Sequence, residues 1–345
     1  MSALRYRLLD AALAHGLLPD PVLRAGSIFG AYARERAEAR GGAATLKERL
    51  NAIVETKSSG PVAEVPEAAN EQHYELPPEF LGLFLGPRRK YSGCLFETDE
   101  TSLAEAEEAM LALTCKRAGI EDGQRILELG CGWGSLTLWL AEKYPSAQIV
   151  AVSNANNQRE FIEGIATERG FSNLTVITAD MNEFEPDGTF DRVVSVEMFE
   201  HMRNWKELLR RISGWLEPDG KLFVHVFSHH TLPYLFEGTW AAERFFTGGV
   251  MPSHDLMLRF QDDLAVTDSW VVPGTHYART LQEWLKLLDA KRGEALAILR
   301  RDGRTEREAR ALLGGWRLFL LSTDKLWGYQ RGNRWLVSHY VLEPR

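Results

Sequence analysis

The sequence predicts an α/β fold, a largely parallel sheet with helices on both faces. Three observations predict it. Between residues 125 and 227, short apolar runs alternate with helical segments, and strand–helix alternation of this spacing builds a doubly covered parallel sheet. A glycine-rich turn, Glu128-Leu-Gly-Cys-Gly-Trp-Gly134, follows the first run and opens a helix. A charged group, Glu197, Glu200 and His201, follows the fourth run, at the carboxyl edge where such sheets bind ligands.

Taken in order, residues 1 to about 57 read as two or three helices. Leu8, Leu9, Ala12 and Leu17 fall roughly on one face, and Pro21 suits the start of a second helix. The mixed charges of residues 34–40 predict a solvated helix face, and Gly41-Gly42 ends it. Residues 58–70 read as a linker or ordered loop. The expected strands are 126–129, 149–152, 174–177, 193–196 and 222–227, with helices at 136–144, 158–168 and 206–216. Two later runs, 265–272 and 335–342, alternate like edge strands that close the sheet as an antiparallel pair. Helical sequence from 280 to about 325 separates them.

Composition narrows the function. Hydrophobic residues make up 45% and charged residues 26%, as in soluble globular proteins. Lys and Arg number 40 against 48 Asp and Glu, a net charge of −8, which argues against nucleic acid as a partner. Cys94, Cys115 and Cys131 form neither a disulfide framework nor a zinc-ligand spacing. His229, His230 and His254 form no ligand set either, so no metal is expected. With no secretory leader pattern and no run long enough to span a bilayer, the expected compartment is the cytoplasm, without stable membrane insertion.

The glycine turn reads acidic-x-Gly-x-Gly-x-Gly, through Glu128, Gly130, Gly132 and Gly134, with Ser135 where a dinucleotide motif has its last glycine. A dinucleotide site presents a helix end to a pyrophosphate. S-adenosylmethionine has no phosphate but carries an amino group and a sulfonium, which an acidic strand end suits. Asp180 closes the third strand, beside Met181, where its carboxylate is placed to accept from an adenine amine. The second strand ends without the expected acidic residue, so Ser153, Asn154 or Gln158 must hold the ribose hydroxyls. That absence also weakens a nicotinamide reading.

Two carboxylates and an imidazole crowd the fourth strand end. A like-charged pair in a partly dry cleft raises the pKa of one member, which suits a general base.

Around these features the chain resembles the cyclopropane-fatty-acid synthase superfamily, and within it the coclaurine N-methyltransferase-like branch. The resemblance rests on His73-Tyr-Glu-Leu-Pro, Leu85-Gly-Pro, Tyr91-Ser-Gly-Cys-Leu-Phe96, residues 128–135 and 191–202, and Leu222-Phe-Val-His225. Further on it rests on Arg244-Phe-Phe-Thr-Gly-Gly-Val-Met-Pro-Ser253, Phe260-Gln-Asp-Asp263, His276-Tyr-Ala-Arg-Thr280 and Trp327-Gly-Tyr. These cover roughly residues 70–345. The Phe-Phe-Thr-Gly-Gly stretch and the Trp-Gly-Tyr ending favour the N-methyltransferase branch.

The resemblance implies a Rossmann-like class I methyltransferase fold with mostly helical N-terminal and cap insertions. A helical segment over 1–70 would precede a methyltransferase domain over 71–345, with acceptor-covering insertions at about 229–264 and 280–325. S-adenosyl-L-methionine is the implied cofactor, and Tyr91, Ser92 and Met181 join its expected site. In the lipid enzymes a bicarbonate takes up the released proton. Matched here, its ligands would be Gly93, Glu200, His225, Tyr277 and the Phe227 amide. The family cysteine is replaced by Gly93, with Cys94 one place later, which weakens that site.

The N-methyltransferases use the Glu and His of this motif to bind and deprotonate an acceptor. That implies Glu200 and His201 as base and Glu197 as the group that orients the amine. Trp240, Phe245, Phe246 and Tyr277 are candidate aromatic walls for a cationic amine. The expected function is methyl transfer to the nitrogen of a small amine, with methylation or cyclopropanation of unsaturated acyl lipids as the alternative. A silent cofactor-binding scaffold and a nicotinamide oxidoreductase rank behind. The N-terminal helices are expected to form a homodimer surface or a lid.

Overall fold

The computed structural model describes residues 6–15, 17–64 and 76–345. His73, Tyr74 and Glu75 of the matched His-Tyr-Glu-Leu-Pro segment, and residues 65–70 of the expected linker, lie outside the described residues, as does the expected domain boundary at 70. Five parallel strands form most of the sheet: β1 (Arg125–Leu129), β2 (Gln148–Ser153), β3 (Leu174–Thr178), β4 (Phe190–Val196) and β5 (Leu216–His229). After a two-stranded ribbon, β6 (Tyr234–Leu235) and β7 (Val250–Met251), come β8 (Leu264–Pro273) and β9 (Trp335–Pro344). The sheet runs β3-β2-β1-β4-β5-β9-β8, with β9 antiparallel to both β5 and β8.

Alternating side chains of each central strand feed opposite cores, which is why these runs read as continuously apolar. Leu127, Val193 and Leu222 meet Leu208 and Ile212 on one face. Ile126, Val194 and Phe223 meet Leu111, Leu136 and Leu140 on the other. Each such side chain contributes about 1.5–3 kcal/mol on burial.

The N-terminal helices are α1 (Arg7–Ala14), α2 (Asp20–Glu38) and α3 (Gly42–Thr56). A single turn, α4 (Pro78–Leu81), precedes α5 (Leu103–Ala118), which starts at a Ser102/Glu105 capping box. The crossover helices are α6 (Ser135–Lys143), α7 (Asn156–Arg169) and α8 (Trp205–Trp215). The cap is built from α9 (Trp240–Phe245), α10 (Gly274–Ala290), α11 (Arg292–Arg301) and α12 (Glu306–Trp327). Its core is aromatic, with Phe80, Phe84, Trp284, Trp316 and Phe319 buried together.

Four expectations are corrected. First, β9 is not an edge strand: it is buried along most of its length between β5 and β8, and β8 alone forms that edge. Its polar residues are hydrogen-bonded internally, Ser338 to Ser228 at 2.6 Å, so the alternation imitated a solvent face. Second, Leu17 lies beyond α1 and is exposed, while α1 buries Leu13. Third, the 229–264 insertion is mixed, since it contains the β6–β7 ribbon as well as α9. Fourth, the helical cap sequence starts at Gly274 rather than at 280.

The sheet order reverses between β1 and β4, so the loops after those two strands open a crevice. The N-terminal helices do not line it. α1 and α2 pack outside α12, α2 through ion pairs Arg24–Asp324 at 3.0 Å and Arg317–Asp20 at 3.2 Å, while α3 packs through Ile53 near Met202 and Trp205. Thus α12 stands between α1–α2 and the crevice.

Candidate active site

The glycine turn forms the floor. Its first amides are tied down, with Gly130 N and Cys131 N donating to Val152 O at 3.0 and 2.9 Å. Two of its glycines have different duties. A Cβ on Gly134 would lie 2.6 Å from Ile162 Cγ1, so Gly134 lets α7 pack against the turn and does not face the crevice. A Cβ on Gly132, whose φ is +53°, would meet nothing within 4 Å. Gly132 opens directly onto the space a ligand would fill.

Glu128 is buried behind this turn, and Thr137 donates to its Oε2 at 2.6 Å. Burial pushes its carboxyl up to about 8. A cationic group bound against it would return it to the ionised form. Cys131 packs with Leu138, Ala151 and Ile162, and burial pushes its thiol up, so it is no nucleophile.

Two lobes meet over the turn. The first is lined by Val152, Asn154, Gln158, Asp180 and Met181, with Ala63 at its rim. Ser153 and Gln158 are joined at 2.5 Å, Ser153 donating. That leaves Gln158 Nε2 buried without a hydrogen-bond partner among the described residues. One oxygen of Asp180 accepts from Asn182 N at 2.8 Å, so Asp180 braces its own turn while lining the lobe. The Asn182 side chain in turn clasps both backbone groups of Ala63 at 2.9 and 3.0 Å. A lobe with an orphaned amide, a carboxylate and an open glycine fits the nucleoside part of the expected cofactor.

The second lobe is apolar and aromatic. Phe227, Phe236, Phe246, Tyr277, Phe319 and Trp327 are among its walls. Phe246 lies parallel to His201 with ring centres 6.2 Å apart. Tyr277 stacks on Trp327 at 4.6 Å. Tyr91, stacked on Trp284 at 5.8 Å, and Ser92 also border this lobe near the turn. Trp240 and Phe245 do not reach it: Phe245 stacks on Phe319 from behind, and Trp240 donates to Asp10.

The lobes share Gly130, Gly132, Glu197 and His201. Glu197 follows β4 directly, with φ of +54°, a conformation that costs a non-glycine residue about 1 kcal/mol or more. It is held by three contacts. Its N–H donates to His225 O at 2.8 Å, Tyr277 donates to Oε2 at 2.9 Å, and His225 Nε2 lies 3.3 Å from Oε1. The last contact is close, but its geometry falls short of a hydrogen bond. Burial raises the Glu197 carboxyl to about 7, and the Tyr277 hydrogen bond opposes the rise.

Glu200 sits on the short turn Phe199–His201, fully buried. Neither carboxyl oxygen has a hydrogen-bond partner among the described residues. Burial and then the neighbouring Glu197 push its pKa well above the usual range. His225 does not line the crevice but stands behind Glu197, fully buried. Cys94 faces away from the crevice too, packed against Phe96 and Ala106. The Gly93 backbone lies against the Tyr277 ring, where a Cβ would sit 3.2 Å from it.

Two lysines were not singled out from the sequence. Lys90 is buried and donates to Gly93 O at 2.9 Å and to Ser92. Its place one residue before Tyr91-Ser92 was the available signal. Lys57, just past α3, is buried, donates to Met202 O at 2.6 Å, and feels the charge of Glu200. Burial lowers its pKa to about 7. Nothing local in the sequence marks Lys57, because it reaches the turn through tertiary packing. In the 229–254 stretch, His229 Nδ1 accepts from Thr231 N and Leu232 N, and His254 Nδ1 bonds the Ser338 hydroxyl at 2.8 Å.

Residues 63–315 match the family model described as mycolic acid cyclopropane synthetase. The chain belongs to that family. An (S)-coclaurine N-methyltransferase of Thalictrum flavum subsp. glaucum is 41% identical over 292 residues, covering 82% of this chain and 81% of that one. A crystal structure of coclaurine N-methyltransferase bound to N-methylheliamine and S-adenosylhomocysteine superposes with a TM-score of 0.92 at 36% identity, covering 97% of this chain and 98% of that one. A cyclopropane synthase of Mycobacterium tuberculosis gives a TM-score of 0.69 at 25% identity, covering 82% and 100%. This member of the family is therefore an S-adenosylmethionine-dependent methyltransferase with the Rossmann-like class I fold, on the coclaurine N-methyltransferase-like branch. Among the described residues no helix is long and apolar enough to cross a membrane.

Proposed function

We propose that this methyltransferase acts on the nitrogen of a small amine. One observation carries the reading: two carboxyls, Glu197 where the two lobes meet and the buried Glu200 beside it, line a chamber whose walls include Phe227, Phe236, Phe246, Tyr277, Phe319 and Trp327. A buried carboxyl without a partner is costly unless a ligand satisfies it, and an ammonium does so with charge as well as N–H donors.

S-adenosylmethionine supplies an electrophilic methyl carbon on a positively charged sulfur. The chain's own residues have two tasks. They must aim a nitrogen lone pair along the line of the breaking bond, and they must first free that lone pair. An aliphatic amine is mostly protonated at neutral pH. Glu200 and His201 take its proton, and Glu197 orients the nitrogen, held in turn by Tyr277. Phe246 and Tyr277 offer ring faces to the cationic group. Asn154, Gln158 and Asp180 hold the nucleoside, and Glu128 complements the cofactor's cationic end.

The alternative, modification of an acyl-chain alkene, is supported by Glu200, His225 and Tyr277, which occupy the matched positions. It is weakened by Gly93 and by Cys94, which turns away from the chamber. The deciding experiment is an acceptor screen with methyl-labelled S-adenosylmethionine. Small amines, including tetrahydroisoquinolines, form one arm, and unsaturated phospholipid vesicles form the other. Label entering an amine is expected. Label entering lipid alone would sink the amine reading.

A further inference from the structure

We propose that Arg117 and His339 are positioning residues for methyl transfer: they hold His225 as its Nε2–H tautomer and turn that proton toward Glu197. The proposal deepens the amine reading above and rests on it only for the role of Glu197.

The argument begins with sheet register. His225 of β5 and His339 of β9 are direct antiparallel partners, and Trp270 of β8 is opposite His339 in turn. Directly opposed residues point to the same face, so the three rings form a row across the sheet. Helix α5 covers this face and brings in Arg117, whose guanidinium lies 4.8 Å from the centre of the Trp270 ring.

The hydrogen bonds then allow only one pattern. Arg117 Nη1 lies 2.7 Å from His339 Nδ1. A guanidinium only donates, so His339 Nδ1 must carry the lone pair. The His339 proton is therefore on Nε2. That atom lies 2.9 Å from His225 Nδ1, so His225 Nδ1 accepts and its own proton is on Nε2. His225 Nε2 is the atom 3.3 Å from Glu197 Oε1. The other tautomer would aim a lone pair at the carboxylate.

Both imidazoles are buried, and burial with the neighbouring Arg117 and Lys90 charges keeps them neutral. The row is not a proton exit, because Arg117 has no lone pair to accept with. It is a lock. The Tyr277 hydroxyl bonds Oε2, and the locked His225 keeps its Nε2–H facing Oε1 at 3.3 Å, a polar contact short of a hydrogen bond, so the Glu197 carboxyl meets a donor group on each side.

The test uses the full-length enzyme with 15N-labelled histidines. Long-range proton–nitrogen spectra should show His225 and His339 both protonated at Nε2. In R117M, where the helix surface is changed but the buried row is not, His225 should become a tautomer mixture. Wild-type His225 protonated at Nδ1, or an unchanged His225 pattern in R117M, overturns the proposal. This readout needs no acceptor, so it stands or falls apart from the amine assignment.

With an acceptor in hand, R117M and H339F should lower kcat about 10-fold or more, the cost typical of losing the partner that orients a functional histidine. KM for S-adenosylmethionine should not move. H339Q, whose amide can accept from Arg117 and donate to His225, should recover turnover relative to H339F. Wild-type kcat in R117M, or H339Q as slow as H339F, counts against the lock.

Discussion

Tyr277 donates its hydroxyl proton to Glu197 Oε2 at 2.9 Å, joining a cap helix to the end of a central strand. The bond favours the charged carboxylate, while burial favours the neutral acid and wins, placing the group near 7. If an ionised Glu197 is needed, kcat/KM should climb with pH through about 7. Replacing Tyr277 by Phe keeps the stacking on Trp327 but removes the opposing bond. The Glu197 pKa must then rise, and the acidic limb of the profile must move to higher pH. Profiles of wild type and Y277F with one amine decide this, since the amine's own titration is common to both. Superimposable acidic limbs would remove Glu197 from the rate-controlling ionisations.

Glu200 and His201 should affect turnover, Glu200 far more than it affects cofactor binding. Both sit on the turn after β4, and Glu200 is not among the groups lining the nucleoside lobe. Replacing either by Ala should lower kcat by roughly 100-fold, the lower end of general acid–base effects. In the Glu200 variant the dissociation constant of S-adenosylhomocysteine, measured by calorimetry, should stay close to wild type; His201 borders both lobes, so only its turnover is diagnostic. Full activity in both variants would end their assignment as proton acceptors.

The glycine turn offers a paired contrast. Gly132→Val puts branches into open space, so the chain should fold but lose cofactor affinity, with about 1 kcal/mol of backbone strain at its positive φ. Gly134→Ala drives a methyl into Ile162, so its cost should appear as a lowered Tm, with overpacking worth about 1–3 kcal/mol. Calorimetric titration and thermal unfolding of both variants separate the two duties. An unchanged cofactor dissociation constant in G132V would mean the ligand lies elsewhere.

What the sequence disclosed follows from how local each signal is. The five parallel strands were legible because residues such as Ile126 and Leu127 are buried on opposite faces and leave an unbroken apolar run. Glu197, Glu200 and His201 were legible because they are neighbours in the chain. β9 misled because Ser338 and His339 look like a solvent face, while in the fold they bond to Ser228 and His225. Trp240 and Phe245 could not be told from Phe246 by type alone, since only cap packing decides which ring faces the chamber. Lys57 was silent because its partners, Met202 and Glu200, lie more than 140 positions away.

The buried state of Glu200 also has a thermodynamic consequence. Its folded pKa lies well above the ordinary 4.5. A carboxyl of this kind contributes stability that is fully present below its unfolded pKa and is lost as pH rises toward the folded one. Lys57 opposes the shift but does not cancel it. Gln at this position has the same shape and cannot ionise, so it escapes the loss. In the absence of ligand, the Tm of E200Q minus that of wild type should therefore grow between pH 5.5 and pH 8.5. For a chain of this size each kcal/mol moves Tm by about 2 °C, so thermal scans at several pH values can resolve the trend. A difference independent of pH would mean that Glu200 titrates in the folded protein as it does in the unfolded chain, and that its burial is met by a partner other than a bound amine.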